Sequence, residues 1–88
     1  MKTKKQILIQ KYLLMIEELK KILNVDIFPE FDDVVDILFY FQYNFLMIQH
    51  PAEKIEDILI LNNIILNDDM FGQVCDLILD FIILLNNL

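Results

Sequence analysis

Apolar side chains recur at every third or fourth residue along much of this 88-residue chain, and this spacing constrains the fold more than any other feature. In the first segment the repeat runs through Leu8, Tyr12, Met15, Leu19 and Ile22. Residues spaced in this way share one face of an α-helix, whereas a half-buried strand requires strict alternation. The segment therefore predicts a helix whose apolar face packs against the rest of the chain.

The same spacing appears in two later segments. One repeat consists of Phe31, Val34, Leu38, Phe41, Phe45 and Ile48, and the other of Phe71, Val74, Ile78, Phe81 and Leu85. Helix-breaking or helix-capping residues separate the segments, and they lie at 24–29, 50–51 and 67–69. We therefore predict four helices, at about 3–24, 30–49, 51–66 and 69–87.

Short connections between successive helices favour antiparallel neighbours. We predict an all-α fold, a small antiparallel four-helix bundle that forms a single domain over residues 1–88. Two similar helical hairpins are the alternative, because residues 31–41 resemble residues 71–81 in their Phe, Val and Asp positions. A duplicated hairpin would explain this similarity, and so would chance in a chain of narrow composition.

Charge is unevenly distributed along the chain. Residues 1–21 carry six lysines against Glu17 and Glu18, a net charge of +4. Residues 22–88 carry Lys54 against twelve acidic residues, a net charge of −11. Such a field attracts basic proteins and repels nucleic acid. We expect a basic protein partner and no binding to nucleic acid.

Side chains that could support catalysis are scarce. The chain has no serine, one cysteine and one histidine. Cys75 lies at the edge of an apolar helical face, which indicates a buried and inert thiol. His50 precedes Pro51 at a helix boundary, where we expect a loop or capping residue rather than a catalytic base. Zinc sites require several His or Cys ligands. We therefore predict no enzymatic activity, no metal and no cofactor.

The sequence also bears on location. A lone cysteine cannot form an intramolecular disulfide and fits a reducing compartment. The longest uncharged run, residues 37–52, is short and contains several polar side chains, so it does not predict a membrane span. The apolar stretch after the first lysines is interrupted by Gln10 and Lys11, which argues against a signal peptide. We expect a soluble, cytoplasmic protein without a membrane partner.

Two acidic motifs resemble magnesium sites of known enzymes. Asp32, Asp33 and Asp36 spell the DDxxD pattern of terpene and prenyl synthases, which are several times longer than this chain. The segments 53–56 (EKIE) and 73–76 (QVCD) resemble the ExxE…ExxD site of all-helical nucleotide pyrophosphohydrolases of the MazG type. That resemblance implies magnesium-dependent nucleotide hydrolysis with Glu53, Glu56 and Asp76 as ligands. The chain departs from the pattern at Gln73.

An acidic and aromatic stripe on the second helix is the main candidate for partner binding. At 100° per residue, Asp33, Asp36, Tyr40, Tyr43 and Met47 share one face. Tyrosine and methionine are enriched at protein interfaces, which distinguishes this stripe from a merely solvated face. Packing of the two tyrosines against a neighbouring element is the alternative. Acidic residues of the third and fourth helices provide secondary charge: Glu56, Asp57, Asp76 and Asp80.

These properties favour a small acidic binding protein. In size, charge and helicity the chain resembles the bacterial immunity proteins that neutralise nuclease toxins, and we expect an immunity protein or an antitoxin-like inhibitor. The alternative is a regulatory or structural adaptor of the phage or plasmid type that acts by dimerisation or helix docking. Some apolar surface must remain exposed in so apolar a chain, so self-association as a homodimer is a further expectation.

Overall fold

The computed structural model describes residues 3–46 and 50–87. Within these ranges the structure is helical and contains no strand. The four α-helices are α1 (Lys4–Leu23), α2 (Val34–Phe41), α3 (Pro51–Leu61) and α4 (Asp68–Asn86). A π-helical segment, Gln42–Leu46, continues α2 directly. Among the described helices, none has the combination of length and apolarity that a membrane span requires.

The helices pack as a bundle, which confirms the predicted fold class. The longest helices, α1 and α4, form the main contact, while α1 also packs on α2 and α3 packs on α4. One groove is lined both by Lys4, at the start of α1, and by Asn87, directly after α4. The start of α1 therefore lies beside the end of α4. The two helices are therefore antiparallel, as short connections in an up-and-down bundle require.

The second helix begins later than predicted, at Val34 rather than near residue 30. Asp33 adopts an extended backbone, and its Oδ1 accepts a hydrogen bond from the Val35 N–H at 2.9 Å. A side chain that satisfies a free N–H in this way marks the first turn of a helix. The predicted end of this helix, residues 47–49, lies outside the described residues.

The third helix ends earlier than predicted, at Leu61 rather than near residue 66. Asn63 takes the left-handed conformation with φ of 58°, and its N–H donates to the Ile60 carbonyl. The next N–H, of Ile64, donates to the Leu59 carbonyl at 2.9 Å. This pair of bonds is the Schellman motif, in which a left-handed residue terminates a helix.

The predicted apolar faces form the core. The predicted positions of α1 and α4 are all buried or half-buried, as are those of the second segment within the described residues. Ile48 lies outside the described residues. The buried side chains form one hydrophobic cluster to which all four helices contribute. The sequence pattern missed Ile37, which is fully buried.

Tyr12 connects the parts of this cluster. Its side chain is fully buried, and its hydroxyl donates a hydrogen bond to the Pro29 carbonyl at 2.7 Å. Its ring lies 5.8 Å from Phe31, 5.9 Å from Phe41 and 5.4 Å from Phe81, measured between centroids. Through one side chain α1 therefore contacts α2, α4 and the connection between α1 and α2.

The similar segments 31–41 and 71–81 are not structurally equivalent. Phe31 precedes α2, whereas Phe71 lies within α4. Val35 is exposed, whereas its counterpart Cys75 is buried. The two segments share buried Val and Phe positions, Val34 with Val74 and Phe41 with Phe81, but they differ in where the helix starts and in the burial of Val35 and Cys75.

We expect Tyr12→Phe to lower the free energy of unfolding by about 1 kcal/mol, and by up to about 3 kcal/mol if the Pro29 carbonyl stays dry and unbonded. Chemical denaturation followed by circular dichroism measures this loss. Tyr43→Phe removes the same hydroxyl from an exposed side chain and is the control. Equal stability of the two variants would contradict the assigned role of the Tyr12 hydrogen bond.

Candidate protein-binding site

All six carboxylates predicted to face a partner are exposed. They lie at the start of α2 (Asp33, Asp36), on α3 (Glu56, Asp57) and on α4 (Asp76, Asp80). Two ion pairs occur among the described residues, Lys20 with Asp26 at 3.9 Å and Lys21 with Glu18 at 3.2 Å. The predicted carboxylates take part in neither pair. Their charge is therefore available to an approaching molecule.

Asp33 and Asp36 differ in what they do within the fold. Asp33 caps α2, so its carboxylate already holds the Val35 N–H. Asp36 lies in the first turn of α2, where a negative charge interacts favourably with the helix dipole. Of the two, Asp36 is the one whose replacement leaves the cap intact.

Tyr40 is half-buried and belongs to an aromatic cluster. Its ring centroid lies 5.5 Å from that of Phe31, 5.6 Å from Phe41 and 5.9 Å from Phe28. These contacts join α2 to the connection that precedes it. Tyr40 therefore has a packing role, which agrees with the alternative that the tyrosines pack against a neighbouring element. Its role in partner binding remains a prediction.

Tyr43 lies instead on an exposed apolar stripe that the sequence reasoning missed. Val35 is 49% exposed, Phe39 55% and Tyr43 70%. Their spacing of four residues puts them along one side of α2 and the π-helical segment. Asp36 precedes Phe39 by three residues and borders the same stripe. We call Val35, Asp36, Phe39 and Tyr43 the α2 surface. Met47, which was predicted to share a face with Tyr40 and Tyr43, lies outside the described residues.

A second exposed apolar patch lies at the end of α3. Ile60 and Leu61 are exposed there, and Ile65 in the following loop is 97% exposed. A groove of about 350 Å³ lies beside them, and Glu56 and Asp68 contribute to its lining. We call Ile60, Leu61 and Ile65 the α3 patch. Acidic side chains thus accompany exposed apolar side chains at both places.

The two magnesium patterns do not form metal sites in the described structure. Among the described residues, no group of three or more His, Cys, Asp or Glu side chains is arranged to hold a metal ion. Glu53, Glu56 and Asp76, which the pyrophosphohydrolase resemblance would use, are all within the described ranges. They therefore do not converge on one ion in this fold.

Cys75 and His50 occupy the positions that the sequence indicates. Cys75 is a buried free thiol on α4. Burial, with a smaller contribution from the Asp76 carboxylate, raises the pKa of the Cys75 thiol and so disfavours the reactive thiolate. His50 is exposed at the start of α3, where its side chain makes no capping hydrogen bond.

Comparison with known proteins adds no family to this description. No protein-family model, no curated protein and no solved structure matches this chain.

The two tyrosines of the candidate site should respond differently to truncation. We expect Tyr40→Ala to lower the free energy of unfolding by about 2 kcal/mol, because it removes half-buried aromatic contacts. Tyr43→Ala should change it by less than about 0.5 kcal/mol, as exposed substitutions do. Chemical denaturation of both variants tests this difference. A clear loss of stability in Tyr43→Ala would indicate that the Tyr43 ring is packed in the core instead.

Stability should fall at alkaline pH. Burial raises the pKa of Tyr12, with a smaller contribution from Tyr40, and burial also raises the pKa of Tyr40 and of Cys75. Each group is uncharged when protonated. The contribution of each group to the free energy of unfolding is fully present below its ordinary pKa, which is about 9 for the thiol and about 10 for the phenols. This contribution is lost as the pH rises toward the raised pKa of the folded state.

Urea denaturation at a series of pH values from about 8 to 12 tests this expectation. The free energy of unfolding of the wild type should begin to fall near pH 9 and fall faster above pH 10. Tyr12→Phe removes one of the titrating groups, so its curve should be shallower by up to about 1.4 kcal/mol per pH unit. Parallel curves for the two proteins would contradict the effect of burial on Tyr12.

Proposed function

We propose that this chain binds and neutralises a basic protein through the α2 surface. The observation that carries the proposal is the exposed stripe of Val35, Phe39 and Tyr43 beside the unpaired Asp36 carboxylate. Aromatic side chains supply most of the affinity where they become buried at an interface. Neighbouring carboxylates favour a positively charged partner and speed its approach.

The remaining acidic residues extend the field beyond the contact itself. Residues 22–88 carry a net charge of −11, and Glu56, Asp57, Asp76 and Asp80 are exposed on α3 and α4. Such a field raises association rates with a basic protein, an effect that salt screens within about 10 Å. These four residues therefore act in our proposal by steering rather than by tight contact.

A nuclease toxin is the partner class that fits this surface best. Nucleases hold the phosphate backbone in positively charged clefts, and a dense carboxylate surface competes for the same cationic side chains. We therefore place the chain among inhibitors of the immunity or antitoxin type, acting in the bacterial cytoplasm. In this role the protein needs no enzymatic activity, cofactor or metal.

The α3 patch supports a second candidate, an adaptor that docks an apolar helix. Ile65 is almost fully exposed, and Ile60 and Leu61 extend the same surface. Exposed apolar patches on a small protein mark interaction sites. Docking of this kind depends on buried apolar area, so its association rate should be nearly independent of salt, unlike that of a charge-steered inhibitor.

Binding to the captured partner tests the proposal. The tagged protein is used at low salt to capture its partner from the native host, and both proteins are then purified for kinetic measurements. Phe39→Ala should weaken binding about 30-fold or more, as truncation of an interface hot spot does. Asp36→Asn should slow association several-fold at low salt and have little effect at high salt.

Two matched variants are the controls. Ile83→Ala truncates an apolar side chain on α4 that is as exposed as Phe39, and Asp69→Asn neutralises a carboxylate in the first turn of α4. Both should bind like the wild type. Loss of binding in Ile65→Ala with wild-type affinity in Phe39→Ala would instead support the adaptor and the α3 patch.

A further inference from the structure

The seam between α1 and α4 forms a shallow, partly apolar surface. One groove of about 270 Å³ is lined by Lys11 and Leu14 from α1 and by Leu77 and Asp80 from α4. Leu84 lines this groove and also the adjacent one near the start of α1, so the two grooves are continuous. We call Lys11, Leu14, Leu77, Asp80 and Leu84 the α1/α4 surface.

Charge on this surface is divided between the two helices. Lys11 lies on the α1 side of the groove and Asp80 on the α4 side, and both are exposed. Neither makes an ion pair with another described residue. Leu14, which is half exposed, and Leu77, which is half-buried, provide apolar area between them. Glu18 also lines the groove on the α1 side, where its carboxylate already accepts a hydrogen bond from the Lys21 ammonium at 3.2 Å. The charged groove residues without an ion pair are therefore Lys11 on the α1 edge of the apolar floor and Asp80 on the α4 edge.

Such a surface is complementary to itself when α1 of one copy lies over α4 of the other. A two-fold axis parallel to the helices places α1 of one copy over α4 of the other, so that Lys11 faces Asp80 of the partner copy. Because α1 and α4 are antiparallel and both residues line one groove, they remain at the same height after this rotation. An axis across the helices would place α1 over α1, where the charged groove residues available to Lys11 are Lys11 itself and Glu18, which already pairs with Lys21.

The available area suits a weak dimer. Helices of 20 and 19 residues are about 30 Å long, and two packed side by side are about 20 Å wide. The footprint is about 600 Å² per copy, or about 1,200 Å² in total, which is the lower end of the range for specific interfaces. A contact of this size is well below that of obligate dimers, so we expect a weak dimer that depends on concentration.

We infer that the α1/α4 surface binds a second copy of this chain about a two-fold axis parallel to α1 and α4. Each dimer then contains the contact between Lys11 and Asp80 twice, related by symmetry. Sedimentation equilibrium of the purified chain over a range of concentrations measures the monomer–dimer equilibrium. We expect dimers that form at micromolar concentration and dissociate on dilution.

Charge reversal tests the orientation. Lys11→Glu places two carboxylates opposite each other and Asp80→Lys places two ammonium groups opposite each other, so each should weaken the dimer about tenfold or more. The double variant restores both contacts with the charges exchanged and should dimerise like the wild type. Restoration cannot arise from a folding defect, which makes the double variant the decisive measurement.

Reversals elsewhere are the controls. Lys5→Glu on α1 and Asp57→Lys on α3 change the net charge by the same amounts, and neither residue lines the grooves of this seam. Both should leave the dimer unchanged. A chain that stays monomeric at millimolar concentration would overturn the inference. Single reversals at Lys11 or Asp80 that leave the dimer unchanged would also overturn it, as would a double variant that remains monomeric. None of these outcomes depends on whether a basic partner binds the α2 surface.

Discussion

The Tyr12 hydroxyl donates to the Pro29 carbonyl from a side chain that is fully buried at the centre of the core. A phenol in this position must have a hydrogen-bond partner, because an unsatisfied buried hydroxyl costs several kilocalories per mole. The chain meets this requirement by bringing the connection between α1 and α2 back onto α1. Phe28 and Phe31 of that connection then reach the core, where Phe31 contacts the Tyr12 ring. This polar contact and the aromatic packing around it hold the connection against α1 directly before α2 begins.

The same connection decides which side chains of α2 face outward. Phe28 and Phe31 pack against Tyr40, so the ring of Tyr40 completes the aromatic cluster. Phe39, one residue earlier, then lies on the outside with Tyr43. A helical rotation of 100° separates the half-buried Tyr40 from the exposed Phe39. The exposed stripe thus reflects the apolar repeat of α2 together with the packing of the preceding connection on Tyr40.

Periodicity predicted the fold class and most of the core, because apolar spacing reports directly on which face of a helix is buried. It failed where side chains outside the helices determined the outcome. Phe31 keeps the apolar spacing of α2, yet Asp33 caps the helix after it. The end of α3 was predicted from the capping residues at 67–69, but the left-handed Asn63 terminates the helix at Leu61. The half-burial of Tyr40 depends on contacts from Phe28 and Phe31 in another segment, which no spacing within α2 contains.

Segregated charge explains how so apolar a chain can present two different surfaces. Lys11 of α1 and Asp80 of α4 line one groove at the seam of these helices, and we infer that they complement the same pair on a second copy. The α2 surface contains Asp36 and no lysine, so it has no cation to pair with a carboxylate of a second copy. Two copies of this surface would bring Asp36 carboxylates together, which supports our proposal that it binds a basic partner rather than a second copy. In both proposals the sign of the charge beside an apolar surface determines which molecule can cover it.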